Sequence, residues 1–141
     1  LATELGVSDL IRWVGSSTDQ EFLAPWFLAA DVFVYPGSIG LSVLHSFAYG
    51  LPVITHGNML HQMPEFAALK AGVNGEVFPE GDLAGLAYAI NSVLMDPARR
   101  ERLSRGASET VRTEYSMTSM VERFACAIEA CSAISLLNTR S

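Results

Sequence analysis

Cysteine is scarce in this 141-residue chain: Cys126 and Cys131 are the only two, five residues apart, with no CxxC pair and no ligand spacing beside them. That usage suits a reduced, intracellular protein and excludes a disulfide scaffold or a cysteine-based zinc site. Long apolar runs are missing as well. Phe27 to Tyr35 is broken by Asp31, so no membrane span is expected. No charged-then-apolar leader opens the chain, which begins at Leu1 and not at Met. Basic residues are few, 9 Lys+Arg against 15 Asp+Glu for a net charge of -6, which argues against a nucleic-acid partner, since a phosphate backbone needs a basic surface. Arg99, Arg100, Arg102 and Arg105 share one stretch with Glu101 and read as a solvated helix face. Internal repeats and low-complexity segments are absent.

What is present is a well-buried composition, 50% hydrophobic and 17% charged, of a length that suits one domain or most of one. Strand-like and helix-like patterns alternate. Leu10 to Val14 is a short apolar run closed by Gly15, and Thr18 with Glu21 fits a capping box for a helix through Phe22, Leu23, Trp26, Phe27 and Ala30. Pro25 is expected to interrupt that helix or delay its start. Asp31 to Pro36 and Pro52 to Thr55 read as strands buried on both faces, and Gly75 to Phe78 as a further strand. Leu41 to Tyr49 reads as a helix stopped by Gly50, with Pro52 two residues on. Asp82 caps a helix through Leu83, Leu86, Ile90, Val93 and Leu94. Pro97 either ends it or opens the next, which runs through Leu103 and Val111. A last helix, about 117–137, carries Met120, Val121, Phe124, Ala125, Ile128 and Cys131 on one stripe. The alternation predicts an α/β fold with an open parallel sheet.

The chemistry concentrates where the strand ending at Pro36 enters Gly37-Ser38-Ile39-Gly40-Leu41-Ser42 and then a helix. Glycines admit a ligand close to the backbone, and free N–H groups at a helix start favour an anion, so this loop is either a phosphate cradle or a tight turn. In open α/β sheets ligands sit beyond the carboxyl ends of the strands, where the loop falls. Ser42, His45 and Tyr49 share a helix face, and His45 lies about 6 Å along the axis from Leu41. It is placed either to reach a ligand or simply to pack. His56, His61 and Glu65 fit no closed metal site, and no metal is expected. His56-Gly57-Asn58 either lines the cleft or decorates a surface loop.

On these residues the chain resembles the C-terminal, nucleotide-sugar-binding domain of family 4 (group 1) glycosyltransferases, retaining enzymes of the GT-B fold. The family pattern is a strand ending in Pro-Ser, then Glu-Gly-Phe-Gly-Leu-x-x-Leu-Glu-Ala-Met-Ala-x-Gly-x-Pro-Val. Here Gly40-Leu41-x-x-Leu44-His45-Ser46-Phe47-Ala48-Tyr49-Gly50-Leu51-Pro52-Val53 follows it. Ile11 to Gly15 and Ala29 to Pro36 resemble the preceding strands, while Met63-Pro64-Glu65, Gly72 to Gly75 and Gly81 to Ala84 match later landmarks. The likeness runs from about Glu4 to Glu129.

The family's paired glutamates fall at Gly37 and His45. In the family the first meets hydroxyls of the transferred sugar and the second bonds ribose hydroxyls. A branch with Pro-Gly-x-x-Gly-Leu-Ser/Thr-x-x-His is the nearer likeness. The resemblance implies a UDP-, GDP- or ADP-sugar donor without further cofactor. It places the phosphates on Ser38, Ile39, Gly40, Leu41 and Ser42, the transferred sugar by Gly37, the ribose on His45 and the base near Trp13, Gly15 and Ser16, with His56 and Asn58 lining the cleft. The acceptor is a glycan, a lipid-linked or a small-molecule compound. A cytoplasmic location is implied, with peripheral attachment to the inner membrane face open for the full-length protein. The family domain opens with two strands before Ile11 to Val14, and with basic residues on the donor phosphates, neither of which is found here. In the strand order 3-2-1-4-5-6 those strands belong between Ile11–Val14 and Asp31–Tyr35. Residues 1–141 are therefore expected to be one partial domain, truncated at its N-terminus and inactive by itself, whose last helix crosses to an N-terminal domain. The rival expectations are a non-catalytic nucleotide-binding module and a remnant without a ligand.

Overall fold

The computed structural model describes residues 1–138, with side chains through Cys131. Three strands, β1 (Phe33–Val34), β2 (Val53–His56) and β3 (Gly75–Phe78), form a parallel sheet in the order β1-β2-β3. Five helices surround or extend from it: α1 (Gln20–Ala29), α2 (Ser42–Ala48), α3 (Leu83–Leu94), α4 (Pro97–Glu114) and α5 (Met117–Asn138). The register pairs Phe33 with Val53, Val53 with Gly75, and His56 with Phe78.

Alternation along the strands builds two cores. Val53 joins Ile39, Val43, Phe47, Ala68, Leu69 and Ala107 on one face, with Phe33 packed against them. Ile54 faces the other way, among Phe78, Ala89, Val93 and Leu103, with Val34 beside it. Successive side chains of a strand point to opposite faces, so a continuous apolar run such as Val53-Ile54 must be covered on both. This is the expected open parallel α/β sheet.

Chain punctuation sets the helix ends. Gly50 adopts φ +71°, and Gly50 N–H and Leu51 N–H donate to the carbonyls of Phe47 and Ser46 at 3.0 Å, which closes α2 with a Schellman motif. Asp82 caps α3 by accepting from Gly85 N–H at 2.9 Å. Pro97 opens α4, and Asp96 caps it by accepting from Arg99 N–H at 3.0 Å.

Four expectations need correction. Asp31 to Pro36, expected as a strand buried on both faces, pairs only over Phe33–Val34, at the sheet edge, and both residues are half-buried. Leu10 to Val14 forms no strand. Ser8–Leu10 is a 3₁₀ turn, the following residues are irregular, and Leu10, Ile11 and Trp13 are exposed. A strand is held by the ladder beside it, and among the described residues no strand lies next to this run. The cap of α1 is Asp19, accepting from Glu21 N–H at 3.0 Å, and not Thr18. Finally, α1 starts at Gln20 and runs through Pro25 without interruption.

Candidate functional site

The carboxyl ends of all three strands open onto one edge of the sheet. From β1 comes the loop through Gly37 to Leu41, from β2 Gly57 and Asn58, and from β3 Pro79 and Glu80. Gly57 N–H donates to the Phe78 carbonyl at 2.9 Å, drawing the second and third loops together.

The first loop is pinned from below and from the side. Ile39 is fully buried in the core, so only its backbone faces the loop. Its N–H donates to Gln62 Oε1 at 2.6 Å, and Gly37 O accepts from Thr55 Oγ1 at 3.3 Å. Among the described residues, the N–H groups of Gly40, Leu41 and Ser42 have no protein acceptor. Neither Gly37 nor Gly40 has a positive φ. A Cβ at Gly40 would meet only ordinary contacts, Met63 Cγ at 3.8 Å and Glu65 Oε2 at 3.9 Å. Backbone strain therefore does not demand these glycines. Leu41 and Ser38 are exposed, and Ser42 is half-buried.

One turn into α2, His45 is half-buried against α1. Its ring lies 4.6 Å from that of Phe27 and 5.4 Å from that of Tyr49, and Nε2 meets Gln20 Oε1 at 3.0 Å. Its Nδ1 forms no hydrogen bond among the described residues. The shared helix face of Ser42, His45 and Tyr49 thus carries an aromatic seam between α1 and α2.

His56, at the end of β2, is buried, with Nδ1 accepting from Asn58 N–H at 3.3 Å. Of this segment only His56 is buried, while Gly57 is exposed and Asn58 half-buried. Asn58 Nδ2 donates to Glu80 Oε2 at 2.5 Å, and His61 Nδ1 meets the same carboxylate at 2.9 Å. These contacts, that of His61 first, hold the Glu80 carboxyl below the ordinary glutamate range. A depressed folded-state pKa means the ties are fully formed above the unfolded value and lost as pH falls through the lower folded one. In a carboxyl NMR titration, His61→Ala is expected to move the Glu80 midpoint upward, whereas an unmoved midpoint would show that His61 does not hold it. Among the described residues no group of three or more His, Cys, Asp or Glu is placed to hold a metal.

Trp13, Gly15 and Ser16 stand apart. Trp13 is 84% exposed, and no hydrogen bond or ring contact joins the three to the Gly37 loop among the described residues. The sheet's opposite end carries an open groove of about 450 Å³, lined by Phe27, Asp31, Pro52 and Arg100 among others. It lies at the amino ends of β1 and β2, away from the glycine loop. Sequence reasoning missed Gln62, Thr55, Gln20 and Glu80. Each acts through a partner 18 to 25 residues away or reached across Gln62, a relation that local pattern does not display.

Comparison with known proteins places this edge in context. The sequence profile described as "Glycosyl transferases group 1" matches residues 1–96. A lipopolysaccharide core biosynthesis glycosyltransferase, LpsE of Rhizobium meliloti, is 32% identical over 127 residues, covering 88% of this chain and 35% of the relative. A D-inositol 3-phosphate glycosyltransferase of Thermomonospora curvata is 37% identical over 118 residues, covering 80% of this chain and 26% of the relative. The chain thus spans about a third or less of the length of these curated relatives. Among solved structures, sucrose-phosphate synthase of Thermosynechococcus elongatus aligns with a TM-score of 0.76 at 26% identity, covering 94% of this chain and 33% of that one. The Anabaena protein HepE in complex with UDP aligns at 0.75 and 17% identity, covering 92% of this chain and 35% of its own. The C-terminal domain of LpcC, a group 1 family protein of Francisella tularensis, aligns at 0.68 and 20% identity, covering 82% and 59%. No helix among the described residues is long and apolar enough to cross a membrane. With the profile covering more than half of its residues, the chain belongs to the group 1 glycosyltransferases.

Proposed function

We propose that this chain is the donor-binding domain of a retaining glycosyltransferase that transfers a sugar from a nucleoside diphosphate sugar to an acceptor in glycan biosynthesis. The observation that carries it is the row of unpartnered N–H groups at Gly40, Leu41 and Ser42, beyond the carboxyl end of β1 with His45 one turn on. Backbone donors at a helix start suit a diphosphate and would stabilise the leaving group as charge develops on it. Two complexes of a protein of related fold, HepE with UDP and with UDP-glucose, support a nucleotide-sugar ligand. His45 stands for the ribose-binding glutamate, and Gly37 leaves the sugar contact to the backbone or to other residues. Trp13 to Ser16 are the residues assigned to the base.

Residues 1–141 make one partial domain on this account, completed by two opening strands with their basic residues and by an N-terminal domain that carries the acceptor site. The exposed stripe of Met120, Val121, Phe124 and Ile128 on α5 supports a further packing partner for that helix.

His45 supplies the test. His45→Ala in the full-length protein is expected to weaken nucleoside diphosphate binding by about 1 kcal/mol, one net hydrogen bond. Removing the ribose hydroxyls from the ligand should then cost the variant much less than the parent, because the shared contact is already gone. A histidine that only packs against Phe27 would lower stability with equal ligand penalties in both proteins. Calorimetry on the four combinations separates the two outcomes.

A further inference from the structure

We propose that Gln62 is the positioning residue that fixes the glycine loop for the donor diphosphate, an inference resting on the donor-domain function above. Its carboxamide makes three contacts at once. Oε1 accepts from Ile39 N–H at 2.6 Å, while Nε2 donates to Thr55 Oγ1 at 3.1 Å and to the His56 carbonyl at 2.8 Å. Thr55, fully buried, passes the link on by donating to Gly37 O at 3.3 Å. The two ends of the Gly37–Ile39 segment are thereby tied to the last two residues of β2.

The chemistry of the partners requires an amide. Ile39 N–H can only donate and the His56 carbonyl can only accept, so position 62 must present an acceptor and a donor in a fixed order. A glutamate would set a carboxylate against the His56 carbonyl. An alanine would leave Ile39 N–H without its partner beneath the loop. Because Gln62 occupies that N–H, it is withheld from a ligand, while those of Gly40, Leu41 and Ser42 beside it stay open. Gln62 therefore takes one loop N–H out of reach of the phosphates as well as holding its neighbours still. Pre-set donors of this kind bind without reorganising.

The experiment uses the full-length protein with UDP, GDP and ADP and their nucleosides, by calorimetry. For whichever diphosphate the parent binds, Gln62→Ala is expected to weaken affinity about tenfold, equivalent to one or two net hydrogen bonds. The matching nucleoside, which lacks phosphates, should change by less than about twofold. Thr55→Val, which releases Gly37 and one donated bond of Gln62 but leaves its bonds to Ile39 N–H and the His56 carbonyl, should show the same selectivity for the diphosphate, and keeps the test open should Gln62→Ala fold poorly. Gln62→Glu, which keeps an acceptor but loses both donated bonds, should bind the diphosphate no better than Gln62→Ala. Equal losses for diphosphate and nucleoside, or no loss for either, would overturn the role of Gln62 while leaving the donor function standing. Failure of the parent to bind any diphosphate would remove the donor function, and this inference with it.

Discussion

Phe47→Ala is expected to destabilise the folded protein by about 3–5 kcal/mol, the usual cost of emptying a large buried aromatic site. Phe47 is fully buried at the centre of the core formed by Ile39, Val43, Val53, Ala68, Leu69 and Ala107. Its neighbours come from α2, α4, β2 and the glycine loop, so no single element can collapse to fill the void. Folded domains hold only about 5–15 kcal/mol in total, so this one change removes a large share. Ile39 loses packing in the same stroke, and the loop above it loses the floor that pins it. Urea denaturation checks the energy. A loss under about 1 kcal/mol would mean that the core closes around the gap and that the loop does not depend on it.

Gly106→Ala is expected to be destabilising, by about 1–3 kcal/mol, although it replaces the poorer helix former inside α4. In an exposed helix that exchange gains about 1 kcal/mol. Here a Cβ would drive into the Val73 carbonyl, a backbone group that cannot swing aside. The neighbouring ties are equally rigid. Thr110 Oγ1 donates to the Gly106 carbonyl at 2.8 Å and accepts from the buried Asn74 Nδ2 at 3.0 Å, and Asn74 also holds the Ala68 carbonyl. To admit a methyl group, α4 must move off the Val73–Asn74 turn and stretch that network. The clash therefore outweighs the propensity. Thermal or urea unfolding decides the sign, and a stabilised variant would show that α4 is free to shift.

Much of the fold was legible in sequence because its signals are local. The strand at Val53 announces itself through a continuous apolar run and the helix after Asp82 through its cap, while Pro97, which could have ended one helix or opened another, stands at the first turn of α4. Gly50 marked the end of α2 for a reason the dihedral bears out, φ +71°. Leu10 to Val14 misled because an apolar run becomes a strand only if another strand pairs with it. Pro25 misled because tertiary packing of α1 on His45 and Phe33 through Phe27 tolerates one missing helix hydrogen bond. At the candidate site, the glycine loop and His45 could be picked out from spacing alone. Gln62 could not, since its meaning lies in a contact with Ile39 across 23 positions, and Gln20 reaches His45 across 25.

The central claim is that a nucleoside diphosphate sits at the carboxyl edge of the sheet. A co-crystal structure of the full-length protein with UDP, GDP or ADP tests it most directly. The account predicts diphosphate oxygens within hydrogen-bond reach of the Gly40, Leu41 and Ser42 N–H groups, the ribose against His45, and Gln62 still bound to Ile39 N–H. A nucleotide lodged instead at the opposite end of the sheet, in the groove beside Asp31 and Arg100, would contradict it.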